Sequence, residues 1–202
     1  MVKVLNGRIA DFSKTIDVVQ TILIYLTALL VPTFFGEFIK VTFGAESIVA
    51  TNSQFIVGSI VNCALIITAL NLNGWSKIAG VVTMPSVSAI LSGYVFHTAS
   101  PYMLWMIPAI WIGNFTLVYA YKSLMLSKGK NYVLASIVGI VVKVTVIAVG
   151  FMLLKTLGVF PEKLVNTLQI AMTSTQFITA TIGAVGGFVI YAAEKNALNL
   201  QK

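Results

Sequence analysis

Residues 132–154 read YVLASIVGIVVKVTVIAVGFMLL, an apolar run interrupted by one charge, Lys143. A membrane-spanning helix needs about 20 mostly apolar residues, and this run is long enough. Five other runs also qualify. The six predicted spans are 18–36, 54–72, 78–96, 103–121, 132–154 and 168–193. The sequence therefore predicts an all-α integral membrane bundle of six transmembrane helices, forming a single domain over residues 1–202, with kinks at Pro85 and Pro108.

Composition indicates the same class of protein. Of the 202 residues, 58% are hydrophobic and 9% are charged, and the mean hydropathy is +0.95. Soluble domains carry about 25% charged residues. The net charge of +7 comes mostly from lysines at the ends of apolar runs, not from a basic patch with interleaved aromatic residues. We therefore expect a lipid bilayer around the chain and no nucleic-acid partner.

The sequence lacks the residues that several kinds of chemistry require. The single cysteine, Cys63, excludes an intramolecular disulfide and a cysteine-rich metal site. No Gly-rich loop ends in Gly-Lys-Ser or Gly-Lys-Thr, so the chain has no Walker-type ATP site. The predicted spans contain no carboxylate pair, histidine cluster or Ser/His/Asp set. We expect no enzyme activity, no catalytic residues, no metal and no cofactor.

Basic residues predict the orientation. With the N-terminus inside, nine flank the spans on the cytoplasmic side and three lie outside. The nine are Lys3, Arg8, Lys14, Lys77, Lys122, Lys128, Lys130, Lys195 and Lys202, and the three are Lys40, Lys155 and Lys163. Because basic residues are retained in the cytoplasm, both termini are expected there, in a multi-pass protein of a bacterial-type plasma (cell) membrane.

The N-terminal segment, residues 1–17, has two interpretations. Leu5, Ile9, Phe12 and Ile16 recur at spacings of four, three and four, which places them on one face of a helix. Such a helix would lie in the interface of the inner leaflet. The alternative is a polar lead-in whose spacing arises by chance, and the pattern alone does not decide between them.

Lys143 carries the strongest functional signal. A lysine at the centre of a membrane helix costs about 2.5–3.5 kcal/mol on insertion scales. One hypothesis is that it contacts a carboxylate or phosphate of a substrate from an internal cavity. The other is that it binds carbonyls or helix dipoles between packed helices.

Polar and aromatic residues in the outer halves of the spans predict the rest of a binding site, since a few convergent polar groups between aromatic walls suit a small planar ligand. The candidates besides Lys143 are Tyr94, His97, Trp105, Trp111, Asn114, Thr173 and Gln176. Asn114 and Gln176 are the stronger of these because a buried amide must find a hydrogen bond. Tyr94 and Trp105 also fit an interfacial aromatic belt, and His97 also fits a loop position.

Small residues four apart recur in the last span, at Ala180 and Ala184 and at Gly183 and Gly187. Such spacing lets two helix backbones approach closely. It is typical both of docking by another subunit and of packing within the same bundle.

The overall layout resembles the substrate-binding S component of energy-coupling factor (ECF) transporters. The stretch IPAIWIGNFTLV, residues 107–118, is similar to the fourth helix of that family, in which a Gly-Asn pair precedes an aliphatic run. Residues 132–143 and 176–184 are similar to its fifth and sixth helices. One feature differs: many members carry Ala-x-x-x-Ala on helix 1, and neither 21–25 nor 28–32 has it.

The resemblance implies the substrate-binding subunit of an ATP-driven importer that captures a vitamin or related small cofactor precursor outside the cell. It implies a coupling transmembrane subunit and two ATPase subunits as partners. The alternatives are a small secondary transporter or channel acting as a homo-oligomer, an intramembrane enzyme, and a purely structural subunit. A channel would need a polar path that reaches both faces.

The predicted orientation can be tested by cysteine labelling on a Cys63→Ala background. We expect Lys163→Cys to react with a membrane-impermeant maleimide added to intact cells, and Lys128→Cys to react only after the cells are lysed. Labelling of Lys128→Cys in intact cells would contradict the orientation.

Overall fold

The computed structural model describes residues 2–44, 46–93 and 95–200, and the regular elements within these ranges are all helical. The α-helices are α1 Val2–Leu5, α2 Lys14–Leu30, α3 Gly36–Phe43, α4 Ile48–Thr51, α5 Ser53–Asn71, α6 Trp75–Ser92, α7 Ser100–Met103, α8 Ile107–Ala120, α9 Tyr132–Thr156, α10 Glu162–Met172 and α11 Ser174–Leu200. Two π-helical turns continue α2 and α8, Val31–Phe35 and Tyr121–Ser127, and the short 3-10 helices His97–Ala99 and Leu104–Met106 flank α7. The predicted all-α class is confirmed.

Five helical stretches in the described ranges are long and apolar enough to cross a membrane. They are Lys14–Phe43, Ser53–Asn71, Ser100–Ser127, Tyr132–Thr156 and Glu162–Leu198. The chain is thus an all-helical, multi-pass membrane protein. Helix α6, the third predicted span, falls outside this set, since it carries Lys77, Pro85 and several serines. It nevertheless packs in the bundle between α2 and α8, and six spans stay a prediction.

Glycines allow two helix pairs to pack closely, α5 against α11 and α8 against α9. A Cβ on Gly183 would lie 2.6 Å from Asn62 Cβ and 2.8 Å from the backbone N of Cys63. A Cβ on Gly113 of α8 would lie 2.8 Å from Ile147 Cγ1 of α9. Since carbon atoms pack at about 3.5–4.0 Å, neither position has room for a side chain.

The small residues of α11 are covered by the bundle itself. Ala180 is 0% exposed and Ala184 is 7% exposed. A Cβ on Gly187 would lie 2.9 Å from Tyr132 Oη, and Gly183 faces α5 as described above. The packing alternative therefore accounts for the spacing of these four residues. A partner subunit reaching Gly183 would first have to displace α5, so we do not propose docking there.

The N-terminal segment does not form the amphipathic helix. Helix α1 ends at Leu5, and regular helix resumes only at Lys14, behind Ser13 as its N-cap. The backbone between is used for tertiary contacts, since the N–H of Ile9 donates to the carbonyl of Leu70 at 2.9 Å. Leu5 is 3% exposed and belongs to the core of the bundle. The segment folds onto the helix ends.

Basic residues gather at one end of the bundle, which we call the basic end. There Asp17 accepts from Lys77 at 2.5 Å and from Arg8 at 3.4 Å. Lys122, predicted as a loop flank, is instead 0% exposed. Its ammonium donates to the carbonyl of Leu72 at 2.5 Å and to that of Gly7. These bonds hold the N-terminal segment and the α5–α6 turn against α8.

Of the two prolines at which kinks are predicted, only Pro85 lies within a helix interior. Pro108 lies in the first turn of α8, directly after the 3-10 helix Leu104–Met106, and the kinks at both prolines stay predictions. In the first turn the N–H that proline lacks has no partner inside the helix anyway.

The α5–α11 contact predicts different outcomes for two neighbouring glycines. Gly183→Ala should overpack the contact and cost about 1–3 kcal/mol of stability. Gly186→Ala is the matched control, because its Cβ would lie 3.5 Å from Cys63 Sγ, an ordinary contact. Thermal unfolding of both variants in detergent measures the effect. Equal melting temperatures would contradict the close approach.

Candidate functional site

A cavity of about 80 Å³ lies inside the bundle among α5, α6, α8, α9 and α11. Its polar wall consists of Gln54, Asn62, Ser86, Asn114, Lys143 and Gln176. Val95 and Phe96, from the loop after α6, close part of its apolar wall. Gln54 lies in the first turn of α5, at the end opposite the basic end, whereas Lys143 lies near the middle of α9. The cavity therefore extends from mid-depth toward the end opposite the basic end.

Lys143 is 2% exposed and forms the floor of this cavity. Its ammonium donates to Oδ1 of Asn62. The Asn62 amide in turn donates to the carbonyl of Gly58 at 2.8 Å and to Thr179 Oγ1 at 3.3 Å. In the described ranges no carboxylate forms an ion pair with Lys143. The cation is therefore held by one neutral amide, and α5, α9 and α11 meet at this point.

This arrangement contains both features predicted for Lys143. The bond to Asn62 links two helices, as the packing hypothesis requires. The same side chain also lines a cavity, as the substrate hypothesis requires. A buried ammonium can donate three hydrogen bonds, so two donors remain after Asn62. They are available to a ligand or to water in the cavity.

Helix α8 carries two of the predicted residues, each tied to α6, and of these Asn114 lines the cavity and Trp111 does not. Asn114 donates from Nδ2 to the carbonyl of Val82 at 3.1 Å, in the turn that precedes Pro85. Trp111 donates from Nε1 to Ser86 Oγ at 2.9 Å. Among the described residues nothing donates to Oδ1 of Asn114, which lines the cavity. Asn114 is thus both a packing residue and an available acceptor.

Two glutamines contribute further amides. Gln176 of α11 and Gln54 of α5 line the cavity, and neither side chain makes a hydrogen bond within the part of the chain that the structure describes. Together with the ammonium of Lys143, these groups can surround a small polar molecule with donors and acceptors. The one formal charge on the wall is positive, which favours a carboxylate or phosphate group on the ligand.

The other predicted binding residues lie elsewhere. Trp105 is 64% exposed on the outside of the bundle, which matches the aromatic-belt alternative. Thr173 is the C-cap residue of α10, where its hydroxyl donates to the carbonyl of Gln169 at 2.6 Å, and it does not line the cavity. Tyr94 and the side chain of His97 lie outside the described residues.

Asn62, Ser86 and Gln54 were not predicted. Asn62 carried the signal that singled out Asn114, an isolated amide in an apolar run, here SIVNCALII over residues 59–67. Ser86 gave no such signal, because serines are common in membrane helices and often bond to the preceding turn.

No family model, curated protein or solved structure matches this chain. The class that the fold and site define is a multi-pass, all-helical membrane protein with a polar cavity near mid-depth.

The Lys143–Asn62 bond predicts non-additive substitutions. Asn62→Leu should leave the ammonium without its amide partner and cost about 1–3 kcal/mol or more. In a Lys143→Met background the same change should cost much less, since no charge is then stranded. Thermal unfolding of the two single variants and the double variant in detergent completes the cycle. Additive losses would show that the bond contributes nothing to stability.

Proposed function

We propose that this chain is the substrate-binding membrane subunit of an ATP-driven importer of the ECF type. It captures a small molecule with an anionic group, a vitamin or related cofactor precursor, from the side opposite the basic end. The observation that carries the proposal is the buried Lys143 ammonium on the wall of the cavity, with a neutral partner and amides around it.

A structural role alone does not require a charge at this position. Asn62 could pair with a neutral side chain at lower cost, because ionisable residues inside membranes are expensive. An anionic ligand group offsets that cost by forming charge-assisted hydrogen bonds to Lys143. Such bonds also give selectivity, since a ligand without an anionic group cannot form charge-assisted hydrogen bonds to Lys143.

The cavity is too small in this conformation for a vitamin-sized ligand. At about 80 Å³ it is smaller than the about 300 Å³ typical of small-molecule sites. Entry of a vitamin-sized ligand therefore requires movement of the segment over the cavity. The loop after α6 is placed for this, since Val95 and Phe96 line the cavity and Gly93 ends α6 in a left-handed conformation with φ of 71°.

The core between the cavity and the basic end favours a substrate-capturing protein over a channel. Between the cavity and the basic end the core contains fully buried apolar side chains, among them Leu65, Ile66, Leu117 and Val118. The buried polar side chains in this half, such as Thr68, Tyr121 and Lys122, are hydrogen-bonded to neighbouring groups and do not line the cavity. A ligand held near Lys143 would leave inward only through a larger rearrangement.

Such a rearrangement needs an energy source. The sequence has no phosphate-binding loop, so ATP hydrolysis would come from two ATPase subunits acting through a coupling subunit. Helix α2 offers a broad apolar surface for lipid or for that subunit, with Leu23 58% and Leu26 44% exposed. Purification from native membranes should bring down these three proteins.

Two buried lysines provide a matched test of substrate capture. Lys143→Met should lower ligand retention at least tenfold, about 1.4 kcal/mol. Lys122→Met removes an equally buried ammonium that lies away from the cavity, so it should lower the melting temperature and leave retention unchanged. Mass spectrometry of small molecules released from each detergent-purified protein gives the retention. Equal retention by wild type and Lys143→Met would refute the role of Lys143.

A further inference from the structure

A second, larger surface feature lies at the basic end, away from the cavity around Lys143. A groove of about 930 Å³ runs between the N-terminal segment, the α8–α9 connection and the end of α11. Its charged lining residues are Arg8, Asp11, Lys130 and Lys195. We call it the basic groove.

The balance of charge in the basic groove is positive. Arg8 is engaged by Asp11 and Asp17, each at 3.4 Å. Lys130 and Lys195 form no ion pair within residues 2–44, 46–93 and 95–200. The ammonium groups of Lys130 and Lys195 therefore line the groove without a carboxylate partner among the described residues.

A second groove continues from the first toward the membrane interior. It holds about 460 Å³ between α9 and α11 and is lined by apolar atoms of residues such as Ile137, Ile140, Phe177 and Val185. We call it the apolar groove. Tyr132 lines both grooves, so they adjoin at the first residue of α9.

An aromatic cluster marks the junction. The ring of Tyr132 stacks on Tyr191, with centroids 5.7 Å apart, and meets Phe188 edge-on at 5.3 Å. Tyr191 lines the basic groove and Phe188 lines the apolar groove. Aromatic rings of this kind occupy the headgroup level of a bilayer. The surface thus runs from basic to aromatic to apolar, as a phospholipid runs from headgroup to acyl chain.

We propose that the two grooves together bind one anionic phospholipid of the leaflet at the basic end. Its phosphate lies near Lys130 and Lys195, and one acyl chain lies between α9 and α11. Basic pockets between membrane helices recognise acidic headgroups in this way. The apolar groove is open to the side where lipid surrounds the bundle, since Ile137 and Val185 are 57% and 63% exposed. The basic groove is open at Lys130 and Lys195, which are both exposed.

The test uses delipidated protein in dodecyl maltoside, with dioleoyl phosphatidylglycerol or dioleoyl phosphatidylcholine added in increasing amounts. Phosphatidylglycerol should raise the melting temperature at lower concentration than phosphatidylcholine.

Each basic residue contributes about fivefold to affinity for an anionic lipid, so Lys130→Gln with Lys195→Gln should weaken the phosphatidylglycerol response about 30-fold. Lys128→Gln with Lys163→Gln is the matched control and should change it little.

A second pair of variants tests the acyl chain. Val185→Trp should fill the apolar groove and weaken the response. Val189→Trp is the control, because Val189 is also exposed on α11 but does not line that groove. Loss of the response in Val185→Trp alone supports the acyl-chain position.

Three outcomes would overturn the proposal. The first is an equal response to the two lipids. The second is an equal response to soluble glycerol 3-phosphate, which would indicate a free-anion site. The third is native mass spectrometry of the membrane-extracted protein showing a bound polypeptide that Val185→Trp displaces.

Discussion

The architecture depends on the close approach of α5 and α11. Gly183 has no room for a Cβ against Asn62 and Cys63, and on the other side of the contact Gly58 has none against Thr179, whose Cγ2 would lie 2.9 Å from it. This approach brings the hydroxyl of Thr179 within hydrogen-bond distance of the Asn62 amide. Asn62 is thereby oriented with Oδ1 toward Lys143. A wider helix spacing would separate these three groups, and the cavity would lose its charged floor.

Much of the fold could be predicted from the sequence, because membrane helices are encoded by long apolar runs that need no tertiary information. Asn114, Gln176 and Lys143 were predictable for a related reason, since polar groups in such runs must find partners inside the protein. Trp105 shows the limit. An aromatic residue near a helix end is consistent both with a binding site and with an interfacial position. Only the packing of the helices decides which side of the helix faces inward.

Lys122 and the N-terminal segment show a different limit. Charge counting treats every lysine near a span as a solvated flank, yet Lys122 is buried because two backbone carbonyls, of Gly7 and Leu72, converge on it. Free carbonyls at chain bends carry no side-chain signature, so the sequence offers no cue to this site. The amphipathic spacing of Leu5 and Ile9 was genuine, but those residues pack on the bundle and not on lipid.

The two buried lysines also have implications for synthesis of the chain. Lys122 binds Gly7 and Leu72, and Lys143 binds Asn62, so the acceptors in all these bonds lie earlier in the sequence than the donor. Since a membrane protein is made and inserted from its N-terminus, each acceptor has already been synthesised when its lysine emerges. Neither lysine has to wait for its acceptor to be translated, although α11, which orients Asn62 through Thr179, follows Lys143 in the chain. Reordering the chain by circular permutation would remove that protection, even if the final fold were unchanged.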